Sequence, residues 1–228
     1  LYIVMRKMKS KLLIIGVLLS VSVYVAAQRP SINIGYVNTN NRAKFASKIL
    51  GTKIEAKDEI VLDGITAGFD WDMLIANFIG INMGLNYTYA FRNQNFVGNS
   101  YYRYNYHILD APVRFMLSLP LTSDGDLRLL LYAGPKFALS VAGIGQAYVN
   151  GKKSGDSQDL YADSNYRSRF NLYVGPAVGL RYKSVIIKGG YDFGLLNINT
   201  NNDSKNLFNK DNYKVNQEQW YIKLGFAL

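Results

Sequence analysis

The side chains that could do chemistry are few. A single histidine, His107, stands in the stretch YNYHILD, three residues before Asp110. A histidine with a carboxylate in reach is minimal equipment for activating water or a hydroxyl. In an extended strand, however, residues three apart leave opposite faces, so this pair would meet only across a bulge. The chain has no Cys, which removes a thiol nucleophile, a disulfide framework, a thiolate metal site and an acylated N-terminal cysteine. Asp156, Asp159 and Asp163 have a loose calcium-like spacing but lack the ligand order and closing Glu of a calcium loop. The expectation is a protein that is not an enzyme, with no catalytic residues, no metal and no cofactor.

A second set of ionisable residues has a different logic. Asp70, Asp72, Arg114, Lys136, Arg181, Lys188, Asp192 and Lys223, with Asp110 nearby, fall on the small-or-polar parity of alternating segments. In NFIGINMGLNYTYAF (77–91), Ile79, Ile81, Met83, Leu85, Tyr87, Tyr89 and Phe91 share one parity, and Gly80, Asn82, Gly84, Asn86, Thr88 and Ala90 the other. A period of two places the two kinds on opposite faces of a strand. The same separation recurs along the chain, predicting strands near 31–38, 62–74, 77–91, 103–119, 127–141, 170–183, 184–197 and 216–228.

The connections alternate. Those after the second, fourth and sixth strands are tight (IAN, LTSDGD, YKSV), whereas 39–61, 92–102, 142–169 and 198–215 are long and polar. The first of these long stretches is expected to be a loop carrying a short helix, and NGKKSG, in the third, reads as the tip of a hairpin projecting as a ribbon. Eight strands with short turns at one end and long loops at the other describe an antiparallel up-and-down transmembrane β-barrel. The glycine-rich polar face then points into a narrow lumen and the apolar face toward lipid. With both termini periplasmic, Tyr87, Tyr89, Phe91, Tyr104, Tyr106 and Trp220 would form an outer aromatic girdle, and Trp71, Tyr182 and Phe226 an inner one. In the fourth strand Tyr104, Tyr106 and Ile108 share a parity opposite to that of Ala111, Val113 and Phe115; a bulge near Leu109 or Asp110 would place both sets outside.

The N-terminus has the order of an export signal. Arg6, Lys7, Lys9 and Lys11 precede an apolar stretch from Leu12 to Val23 and a small-residue site at Val25-Ala26-Ala27. Residues 1–27 are therefore expected to be removed, with Met5 or Met8 as the true start, and residues 28–228 to be the barrel domain. Loss of the four basic residues lowers the charge excess from +10 to +6. The remaining lysines are scattered rather than striped, and no nucleic-acid partner is expected.

The stretches YNYHILDAPVRFMLSLPL (104–121), LYAGPKFALSV (131–141) and LYVGPAVGLRYKSVIIKGGYDFGL (172–195) resemble the PorT-like outer-membrane β-barrel family of Bacteroidetes, and the architecture is broadly similar to OmpA and OmpX barrels. The resemblance implies a bacterial outer-membrane location and an eight-stranded barrel, without a single activity. One branch of that family takes part in a secretion apparatus.

Charges inside a barrel must pair or be hydrated. The lumen set is therefore expected to be a salt-bridged plug, with a polar path for ions or small solutes as its functional alternative. The leading expectation is a structural or partner-binding barrel whose long extracellular loops meet a protein or glycan. Its membrane surroundings would be outer-membrane lipid and lipopolysaccharide. A narrow porin or small-solute transporter, and an accessory barrel of a secretion apparatus, follow in that order.

Overall fold

The computed structural model describes residues 28–49, 52–95, 99–162, 167–201 and 211–228. The expected export signal, residues 1–27, and Asp163 lie outside the described residues. Nine strands are present: β1 (Gln28–Ile49), β2 (Thr52–Leu74), β3 (Ile79–Asn95), β4 (Tyr101–Pro120), β5 (Leu127–Val149), β6 (Lys152–Asp159), β7 (Phe170–Tyr182), β8 (Val185–Gly194) and β9 (Tyr213–Ala227). Eight of them close a ring in the order β1-β2-β3-β4-β5-β7-β8-β9, with β9 pairing back onto β1 and every ladder antiparallel. The ninth, β6, pairs with the loop end of β5 alone.

The predicted period of two governs the ring. Ile32, Ile34, Ile65, Phe69, Leu85, Phe115, Val178, Ile187, Ile222 and Leu224 are exposed on the outside, while Asp70, Asp72, Arg114, Lys188 and Asp192 are buried within. An apolar exterior around a charged interior inverts the arrangement of a soluble barrel and is that of outer-membrane β-barrels. Outward apolar runs such as Ile65–Met73 and Val185–Phe193 approach the ~9–11 residues with which a strand crosses a bilayer. The strands overshoot that belt at the loop end.

Three expectations need correction. Residues 39–49 and 52–61 are strand, not a loop with a short helix: β1 and β2 stay in unbroken register from Gln28↔Met73 to Ile49↔Thr52. Asn and Lys there are poor strand formers, but Asn41, Ala43 and Leu62 keep the inward alternation, so packing overrides composition. Likewise 142–169 begins as strand, β5 running on to Val149 and turning through Asn150 (φ 51°) and Gly151 (φ 75°) into β6. Two consecutive positive φ angles match the Asn-Gly hairpin turn, giving the expected ribbon.

The third correction concerns the bulge, which lies in β5. His107 pairs with Ala142 but Ile108 with Ser140, leaving Val141 as the extra residue. β4 keeps a single alternation, with Tyr106, Ile108, Asp110, Arg114, Met116 and Ser118 all buried. Tyr106 therefore belongs to the interior and not to a girdle, and Tyr104 packs against the same inner cluster. Beyond Val141 the inward set of β5 switches parity to Gly143 and Gly145, which leave space for the rings of Tyr161 and Tyr102. The other girdle residues, Trp71, Tyr87, Tyr89, Phe91, Tyr182, Trp220 and Phe226, lie on outward positions of their strands.

Candidate functional site

Every member of the predicted lumen set lies on the inner wall, and Asp70, Asp72, Asp110, Arg114, Lys136, Arg181, Lys188 and Asp192 are each at most 9% exposed. Lys223 is half-buried among them. The centre is Asp192 of β8. Arg114 Nη2 of β4 reaches its two oxygens at 2.7 and 2.9 Å, and Lys136 Nζ of β5 reaches Oδ2 at 2.6 Å. The same guanidinium donates to the Tyr221 hydroxyl of β9, on the opposite side of the ring. Lys136 also donates to Gln219 Oε1 at 2.6 Å, and Gln219 in turn donates to Thr39 Oγ1 at 2.9 Å.

Nearer the turn end, Lys188 Nζ lies 2.6 Å from Asp70 Oδ2, linking β8 to β2. Asp72 accepts from Asn82 Nδ2 at 2.8 Å, and Asp110 accepts from Asn86 Nδ2 at 3.1 Å. These bonds cross the lumen or join neighbouring strands, so the interior is a set of cross-braces. Arg181 faces Arg128 directly across the β5–β7 ladder. Among the described residues neither Arg181 nor Lys223 has a carboxylate at ion-pair distance.

Apolar residues flank the central ion pairs on both sides. Met116, Leu130 and Ile186 lie turn-ward of Arg114, Lys136 and Lys188 on their own strands, and Leu62, Tyr106, Ile108 and Ala138 lie loop-ward. The cavities left between them measure about 20 and 10 Å³. Each is the size of about one water. The larger is lined by Thr66, Asp70 and Asn82, whose Oγ1, Oδ1 and Oδ1 atoms have no protein partner.

His107 is on the outer surface, its Nδ1 2.5 Å from Tyr87 Oη and its ring 5.3 Å from that of Tyr89. Asp110 points into the lumen, so the barrel wall separates the two. Among the described residues no group of three His, Cys, Asp or Glu could hold a metal ion.

A larger space was not anticipated from the sequence. Beyond the loop-end apolar layer the barrel opens into a cavity of about 270 Å³ lined by Leu62, Tyr104, Tyr106, Arg167, Ile198 and Tyr213, among others. Two of these tyrosines are the ones misassigned to the girdle. An uninterrupted alternation along the fourth strand is the signal that would have placed them inside.

No protein-family model matches the chain, and no curated protein matches it. Among solved structures it is similar to Ail, the attachment invasion locus protein of Yersinia pestis, at 15% identity and TM-score 0.41, covering 88% of this chain and 98% of that one. It is similar to the outer membrane protease OmpT from Escherichia coli at 10% identity and TM-score 0.41, covering 90% and 98%. Neisserial surface protein A follows at 14% identity and TM-score 0.33, covering 86% and 97%. At these scores the likeness carries nothing about activity, and the architecture rests on the strand ladder itself.

Proposed function

We propose that this is a bacterial outer-membrane protein that binds a partner at its loop end, without catalysis, and whose lumen is a structural plug. In this reading both barrel termini are periplasmic and the overshooting strands face outward from the cell. The contrast between water-sized cavities of about 20 and 10 Å³ in the lumen and 270 Å³ at the loop end carries it. A rigid scaffold that presents loops and a ribbon is the usual setting for recognition.

The exterior supports lipopolysaccharide or an acidic glycan as one partner. Lys44 pairs with Lys57 across the β1–β2 ladder and with Lys214 across β1–β9, giving three outward lysines in a row above the apolar belt. Like charges directly opposite one another are unfavourable, and an anion bridging them relieves that cost. Membership of the PorT-like barrels rests on the motifs at 104–121, 131–141 and 172–195; a place beside a secretion apparatus would belong to one branch of that family, which these motifs do not single out.

A narrow solute path is the second reading. It is favoured by the excess of cations on the inner wall, where the five of the predicted set and Arg128 face four carboxylates and, among the described residues, Arg181 and Lys223 stand outside the ion pairs. Planar-bilayer recording of residues 28–228 separates the two. The plug predicts a silent, correctly folded barrel; discrete, voltage-stable openings would replace it with the solute path.

A further inference from the structure

The loop-end cavity has a chemical asymmetry. Its floor is apolar, with Leu62 and Ile198 only 2% and 3% exposed, and Tyr104, Tyr106 and Tyr213 contribute ring surface. Among the described residues Arg167 is the single formally charged member of the lining. Its Nη1 donates to Tyr106 Oη at 2.8 Å and its guanidinium carbon lies 4.9 Å from the centre of that ring. The Nε is buried without a hydrogen-bond partner. Among the described residues no carboxylate lies within ion-pair distance of this guanidinium.

A half-buried cation beside apolar space, with no counter-charge among the described residues, is unfavourable until an anion arrives. The volume, about 270 Å³, lies just below the usual range for small-molecule pockets, roughly 300–1,000 Å³. Such pockets are mostly apolar, with a few polar groups that fix the ligand's orientation. We propose that this cavity is a binding site for a small amphipathic anion, its apolar body on Leu62, Ile198 and the tyrosine rings and its carboxylate at Arg167. The Tyr106 hydroxyl is the positioning group, holding the guanidinium at the edge of the cavity. This site goes beyond the recognition of a macromolecular partner and does not depend on it.

The test uses the barrel in lipid nanodiscs with isotope-labelled Ile, Leu and Val methyls, titrated with 4-phenylbutyrate and separately with its neutral amide. Saturable shifts at Ile60, Leu62, Ile198 and Val215 are expected, with the acid bound about tenfold more tightly than the amide, the worth of one charge-assisted contact. Arg167→Gln should erase that preference while the methyls of the barrel wall keep their positions. Leu62→Trp, which fills the floor, should abolish both titrations. No saturable shift at these methyls, equal affinity for acid and amide, or a preference surviving Arg167→Gln would each overturn the proposal. A barrel silent in planar bilayers yet unresponsive in this titration would lose this site and keep the plug.

Discussion

Two arginine–carboxylate pairs in this wall share a separation of 2.7 Å and differ in almost everything else. Arg114 and Asp192 face the lumen with side chains 4% and 0% exposed, whereas Arg42 and Glu218 face outward at 43% and 16%. Water can replace the outer partner and cannot readily replace the inner one. The inner pair also braces β4 against β8 across the barrel, while the outer joins β1 to β9, which a continuous ladder already joins. Bond length therefore says little about worth; what decides it is whether solvent can take over when one partner leaves.

The sharpest way to break the comparison is Asp192→Ala, which leaves Arg114 and Lys136 buried without their carboxylate. A loss of about 3–5 kcal/mol is expected, read from urea unfolding in micelles. Adding Arg114→Met and Lys136→Met should restore most of it, because apolar side chains of similar volume can replace a buried ionic cluster. A neutral Asp192→Ala would mean that water already reaches the network and that the plug is open. Gly190→Leu is the steric counterpart. Even a Cβ at this position meets the Tyr221 ring and Ala177, and overpacking of this kind costs about 1–3 kcal/mol.

The inner wall was readable because alternation is a local signal that closure of a barrel preserves. Asp70, Arg114, Lys136, Lys188 and Asp192 stand inside for the same reason that Ile65, Phe115 and Ile187 stand outside. Which cation meets which carboxylate was not readable. Arg114 and Asp192 are 78 residues apart, and their meeting depends on ring order and stagger together. The outer half of β4 misled for a physical reason. Tyr104 and Tyr106 suit an interfacial girdle and an aromatic-lined cavity equally well, and the neighbouring bulge at Val141 leaves no mark on β4 itself. The polar β1–β2 hairpin was missed because its strands are held by register and by inward Asn41, Ala43 and Leu62 rather than by propensity.

Smaller changes sharpen the other side of the comparison. Glu218→Gln removes the charge that Arg42 meets at 2.7 Å but leaves Glu59 at 3.2 Å, so the loss should be below about 1 kcal/mol and shrink further with added salt. On the plug reading the loss in Asp192→Ala should not shrink with salt, since ions would not reach the network. Equal salt sensitivity in the two variants would erase the distinction between the faces of the wall.

The smallest effect is expected at a carboxylate that neither face protects. Asp124, in the turn between β4 and β5, accepts from Thr122 Oγ1 at 2.5 Å and from the Asp126 backbone N–H at 3.0 Å. The Thr122 hydroxyl is the main cause, and the backbone N–H the next, of a carboxyl held below its ordinary range. A depressed carboxyl contributes stability above its unfolded-state value and loses it as pH falls through the folded one. Asp124→Ala should therefore unfold slightly more easily than the parent at pH 7, and the gap should close in strong acid, where both states are protonated. A gap that persists in acid would assign the loss to the shape of the turn. One that closes would show that even a fully solvated carboxylate is tuned by two hydrogen bonds.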